Sequence, residues 1–393
     1  MKKLLCLMLI AAMLLTSAVA LADTQINPQE NRGITPQAAA ENEVEEGISP
    51  TTGLTLSTLN VPEGFTGMAA TGRYLPMMVQ IGNDNGGVGS RAPWGASYVD
   101  VVYEMPLHKN GATRLSFIYN DLVPDSVGYI RSARVAHAWL REEWGAGFLF
   151  YGQQEYEGTN VLDEFKNMGH QYLADGYFFS GIVGEGKPWK KYYTSRSGKV
   201  RPYHVNANVA AMYALIPEDY APSNHAFKFT DDVPAEGDTA QSIKVSWHSG
   251  GSDSTYGSKL IYDVDSNTYL RYMRRDNDAL EPWVDEDTKE QIAFANVIVQ
   301  FTNVSYHNGV DAPVVEVIGK SGKNYVPVEG NADFFMCGKH IVGYWKHDSV
   351  TSRTVFYGPD GEEISLQRGK TLILLFPNDG QNGSAITYSE SAQ

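Results

Sequence analysis

Two stretches in the first third of the chain change side-chain character at every step. Val101, Tyr103 and Met105 alternate with Val102 and Glu104, and Leu115, Phe117 and Tyr119 alternate with Arg114 and Ser116. A period of two predicts two strands, and the polar, Gly111-containing segment between them predicts a hairpin. Beyond Pro124 the period lengthens. Ala136, Leu140 and Trp144 fall four apart, as do Val135 and Trp139, which predicts a helix with one apolar face and Ser132 as its cap.

Around this centre the same reasoning predicts further elements. Met77, Val79 and Ile81 form a strand that runs into the polar loop Gly82–Gly87, and Phe148–Tyr151 form another. Thr159 caps a short helix carrying Val161, Leu162, Phe165 and Met168, stopped by Gly169, and Val209, Met212 and Tyr213 mark one more. After residue 240 the chain is nearly all short strands with polar turns, from Ile243 to Phe376, as in an antiparallel sandwich or barrel. The expected fold class is α+β: a mixed α/β N-terminal domain followed by a mainly antiparallel β C-terminal domain.

Composition adds the flanking parts. Met1–Ala22 reads as a signal peptide, with Lys2 and Lys3 before an apolar run and Ala20-Leu21-Ala22 as a cleavage site. Residues 23–67 are polar and carry a Glu cluster at Glu41, Glu43, Glu45 and Glu46, which predicts a disordered acidic spacer. Residues 68–230 then form the α/β domain, 231–240 a linker and 241–393 the β-rich domain. Without Lys2 and Lys3 the chain holds 29 basic against 46 acidic side chains, a formal charge of −17. So acidic a surface excludes nucleic acid as a partner, and any anion site has to be local. No later run is long and apolar enough for a membrane span, and the expected location is extracytoplasmic.

Cys6 lies inside the apolar run and is not placed to carry lipid, which leaves Cys337 as a lone cysteine, expected to be a buried small hydrophobe. No zinc spacing and no metal-ligand cluster is present, and no cofactor is implied. Gly181–Lys187 has phosphate-loop spacing, but Pro188 stands where the magnesium-binding hydroxyl belongs. Asp263, Asp265 and Asn267 begin like a calcium loop, but Thr268 and Arg274 replace the required Gly and Glu, so a hairpin turn is expected.

The chemistry-bearing residues cluster at the helix start. Arg131 and Arg134 sit where the helix dipole is already positive, so something acidic should answer them. Either Glu104 or Asp100 pairs with Arg131, Arg134 or Arg114 as a structural network, or the guanidinium groups and helix amides bind an external phosphate or carboxylate. The basic, aromatic run Trp189–Asn206 adds Arg201, His204 and Asn206 as candidate ligand residues. Glu104 and His204 are the candidates for a general base if the site hydrolyses envelope glycans or phosphodiesters.

Asp100–Glu104, Thr113-Arg114, Gly128 through Arg131-Ser132-Ala133-Arg134, Ile261-Tyr262-Asp263, Asn296–Val299, Gly343–Lys346 and Gly361–Ile364 with Gly369-Lys370-Thr371 together resemble the YerB-like family. The resemblance runs from about Arg73 to Pro377. It implies a bacterial envelope protein, usually lipoprotein-like, with an N-terminal and a C-terminal domain of unknown function. This chain departs from the family in lacking the lipid-bearing cysteine. It also has Tyr151-Gly152-Gln153-Gln154 at a His/Gly-rich strand end, and Tyr203-His204-Val205-Asn206 in place of a Pro-His-Asn element. The expected partners are a cell-wall polymer or an envelope protein, the latter captured through the β domain.

Overall fold

The computed structural model describes residues 23–83, 92–172, 174–223, 225–249, 257–274, 280–309 and 311–392. The signal peptide and most of the Gly82–Gly87 loop lie outside these residues. The expected elements form at the centre. Strands β1 (Met77–Gly82), β2 (Val101–Pro106) and β3 (Thr113–Tyr119) are followed by helix α1 (Val135–Trp144), β4 (Gly147–Phe150), helix α2 (Val161–Asn167) and β5 (Phe178–Ser180). The second half adds β6 (Asp238–Thr239), β7 (Asn296–Thr302), β8 (Val328–Met336), β9 (Lys339–His347), β10 (Val355–Tyr357) and β11 (Thr371–Pro377).

These eleven strands make one sheet in the order β6-β9-β8-β7-β11-β2-β3-β1-β4-β5, with β10 beside β9. The two halves of the chain therefore share a sheet, and they meet where β11 pairs in parallel with β2, Thr371 opposite Val101. Strands β7, β11, β2, β1, β4 and β5 run in one direction, and β3 runs against β2 and β1. The outcome is a β-rich protein with few helices, in which the α+β description holds only loosely.

Alternation decides which layer each strand face meets. Val79, Ile81, Leu115 and Phe117 pack with Ile243, Leu260 and Tyr269 of a second, antiparallel sheet. Met78, Tyr103, Ile118 and Phe148 pack on the other side with Ala136, Leu140 and Trp144 of α1. The large sheet is thus covered by strands on one face and by helices on the other. Trp247, Trp283 and Trp345 are buried in these layers as packing residues. The Asp263–Asn267 segment is the expected hairpin turn, between strands Ser258–Asp263 and Thr268–Arg274.

Three expectations are corrected. Ser132 does not cap α1: its Oγ donates to the Tyr151 carbonyl at 3.1 Å, and Arg134 is the cap residue. Asn160, not Thr159, caps α2 by accepting from the Leu162 amide at 2.8 Å. Cys337 is a half-buried turn residue with φ 53° between β8 and β9 rather than a core side chain.

The largest departure is the segment expected as a disordered spacer. Thr24 and Gln25 pair with Tyr388 and Thr387, and Arg32 bonds Asp333 at 2.8 Å. Ser49, Thr51 and Thr52 are buried against two buried acids, Asp100 and Asp121. Ser49 Oγ and Thr52 Oγ1 each donate to Asp121 at 2.7 Å, and Thr51 Oγ1 donates to Asp100 at 3.1 Å. Low apolar content does not mean disorder here, because the hydroxyl groups satisfy carboxylates that cannot otherwise be buried.

Burial pushes both carboxyls up, and at Asp100 the neighbouring Asp121 adds to the effect. Such groups bind protons more tightly in the folded state. Their contribution to stability is complete below the unfolded value of about 4 and declines as pH rises through the raised folded values. Glu142 and Glu143 are lowered despite burial, Glu142 by its hydrogen-bonded partner His170 and Glu143 by nearby His347 and its hydrogen-bonded partner His225, and they act in the opposite sense, so the variant has to be compared with the wild type. Asp121→Asn should show a shallower fall in denaturation midpoint than the wild type between about pH 4 and 7. An unchanged slope would show that the pair is not linked to folding.

Candidate functional site

The parallel strands β1, β2, β4 and β5 all end on one edge of the sheet, at Gly82, Pro106, Phe150 and Ser180, and β3 begins there at Thr113-Arg114. The carboxyl ends of parallel strands are where sheets of this kind present ligand groups. On that edge the period of two separates the predicted residues. Glu104 alternates with Tyr103 and Met105, which pack with α1, so Glu104 faces the second sheet. Arg114 alternates with Leu115, which faces the second sheet, so Arg114 lies on the α1 side.

Glu104 is fully buried and its carboxylate is fully used. Oε1 accepts from Thr113 Oγ1 at 2.7 Å and Asn83 Nδ2 at 3.2 Å, and Oε2 accepts from Arg271 Nη2. Arg271 also lies 4.6 Å over the Trp283 ring. The acid expected to orient Arg131, Arg134 or Arg114 therefore serves an arginine of the other half instead. A carboxylate so occupied is not placed to act as a general base. Asp100 pairs with none of these arginines; besides Thr51 it accepts from the backbone amides of Asn120 and Asp121 at 2.8 and 3.0 Å.

The arginines gather on the α1 face. Arg131 donates its amide to the Gln80 carbonyl at 2.8 Å, and its side chain crosses Gly82, where an added Cβ would come within 2.8 Å of Arg131 Cγ. Gly82 lies opposite Arg114 across the β1–β3 pair, so the missing side chain there lets Arg131 lie over the strand end. Arg134 folds back on the helix start, donating to the Ala133 carbonyl at 3.0 Å. Arg114 is buried, while Arg131 and Arg134 are half-buried.

Sequence reasoning missed His137. It is buried at the third position of α1, and its Nδ1 accepts the Arg134 amide at 2.8 Å. Burial, with Arg134 and Arg114 adding to it, pushes this histidine well below its ordinary range, so the ring is neutral. The signal was present as a histidine three residues after Arg134, the spacing of a reciprocal cap, but it was hidden by assigning the cap to Ser132.

The basic, aromatic run contributes less than expected. Asn206 is structural: its Oδ1 accepts from Trp94 Nε1 at 2.6 Å and Ser126 Oγ at 2.9 Å. Arg201 is exposed. His204 is half-buried, and its carbonyl accepts the Arg196 amide at 2.8 Å. Tyr203 reaches the site indirectly, through an edge contact with Tyr129 at 5.4 Å, and the Tyr129 ring in turn lies against Gly82. Among the described residues no cluster of His, Cys, Asp or Glu could hold a metal, and no helix is long and apolar enough to cross a membrane.

Because Glu104 and Arg271 are both fully buried, removing one partner leaves an unpaired charge in the core. Arg271→Met and Glu104→Gln should each lower stability by about 3–5 kcal/mol, and the double variant should recover much of that loss. Additive losses in chemical denaturation would show that the two side chains are not coupled.

Two family models match the chain. The N-terminal domain of a protein of unknown function (DUF3048) matches residues 65–219, and the C-terminal domain of the same family matches residues 243–373. The crystal structure of YerB protein from Bacillus subtilis is similar at a TM-score of 0.61 and 18% identity, covering 86% of this chain and 99% of that one. At that identity the likeness extends to the fold. No curated protein matches.

Proposed function

The chain belongs to the YerB-like family through both of its domains, a family that brings no reaction with it, and we propose a function from the site's own residues. The protein is an extracytoplasmic binding protein that holds an anionic group, a carboxylate or phosphate of a wall component, beyond the strand ends at the start of α1. The supporting observation is the convergence of Arg114, Arg131 and Arg134 on one face beside a helix N-terminus. Guanidinium forks suit the two oxygens of such a group, and the helix amides add to the same field. The location rests on the sequence of residues 1–22.

Arg131→Ala and Arg134→Ala should each weaken binding of purified wall fragments, and of acetate and inorganic phosphate, by about tenfold or more, the value of a charge-assisted hydrogen bond. The affinity should fall as salt rises. Equal retention by folded variants, measured by calorimetry and pull-down, ends this reading.

A further inference from the structure

Beside the arginines, several buried polar atoms have no partner among the described residues. His137 is fully buried, and because its Nδ1 accepts the Arg134 amide, the neutral ring carries its proton on Nε2. That N–H has no acceptor among the described residues. Gln154 is 4% exposed and uses its backbone fully, donating to the Ala133 carbonyl and accepting from the Val161 amide, each at 3.0 Å. Its side-chain Oε1 and Nε2 both lack partners. Gln80, fully buried, accepts from Ser116 Oγ at 2.9 Å, and its Nε2 has no partner.

These three residues are tied to one short segment. The Arg131 amide bonds the Gln80 carbonyl, the Gln154 amide bonds the Ala133 carbonyl and the Arg134 amide bonds His137 Nδ1, so the three residues that carry the unpartnered groups adjoin the arginine-bearing turn from β1, from the chain after β4 and from α1. A buried polar group left unsatisfied loses its hydration with nothing in return, so three such residues around one turn are costly unless something supplies their partners. The set is mixed in kind. His137 Nε2, Gln80 Nε2 and Gln154 Nε2 donate, whereas Gln154 Oε1 can only accept. A bare carboxylate would accept from the donors but offers nothing to Gln154 Oε1.

We propose that the ligand of this site is an organic anion bearing a hydroxyl or amide N–H close to its charge, as an acidic sugar or an N-acylated amino acid does. His137 and Gln154 are the residues that read the uncharged part. The inference rests on the anion-binding reading and adds the neutral half of the recognition. The arginines hold the charge, and specificity lies in the buried Gln154 amide, whose Oε1 a ligand lacking the second group leaves unsatisfied.

The test uses the full chain and three probes: acetate, D-glucuronate and N-acetylglycine. At least one of the two substituted anions should bind about tenfold or more tightly than acetate, the value of about one good hydrogen bond, and which one it is distinguishes a sugar from an acylated amino acid. Gln154→Leu should abolish that preference, and should raise the melting temperature of the ligand-free protein by removing unsatisfied atoms. His137→Gln, which keeps an acceptor for the Arg134 amide, should reduce the preference without loss of fold. Equal binding of all three probes overturns the inference and leaves the anion reading standing. So does a destabilised Gln154→Leu that keeps its preference, because its amide would then be held by structural solvent. Failure of all three anions to bind overturns both.

Discussion

The structure depends on one interaction that neither half of the chain can make alone. Glu104 of β2 and Arg271 of the second sheet meet with no exposure to solvent, and Thr113 and Asn83 fill the other carboxylate oxygen. Two desolvated charges are tolerated only when each is closely answered, so the pair fixes the spacing and register of the two sheets. It also turns Glu104 toward the strand-covered face, away from the helix-covered face on which Arg114 lies.

The local elements were legible in the sequence and their long-range partners were not. Alternation along Val101–Met105 and Leu115–Tyr119 marked β2 and β3, and the fourfold spacing of Ala136, Leu140 and Trp144 marked α1. The same alternation contained the facing of Glu104 and Arg114, because a tight hairpin with Met105 opposite Arg114 sends those two side chains to opposite faces. Nothing in either stretch announces that β2 takes β11 as its other neighbour across more than half the chain. Pairing of that kind is set by which strands fill the sheet, not by local pattern.

The N-terminal segment was misread for a related reason. Ser49, Thr51 and Thr52 look like solvated residues when only apolar content is weighed. Their partners are two acids, Asp100 and Asp121, that are close in space and buried, and a hydroxyl donor is worth more there than another apolar side chain. The candidate site shows the same lesson. His137 and Gln154 read as ordinary helix and loop residues until their burial and bonding are known.

The parallel pairing of β11 with β2 also bears on how the molecule assembles. A polypeptide delivered from its N-terminus presents β1, β2 and β3 early, yet the slot beside Val101–Glu104 stays open until Thr371–Leu374 arrives. The last strand, Ala385–Ser389, then closes over Thr24–Gln25 at the very beginning of the described chain. Nascent chains of this protein must therefore keep an uncapped, apolar strand edge shielded until almost all of the polymer has emerged.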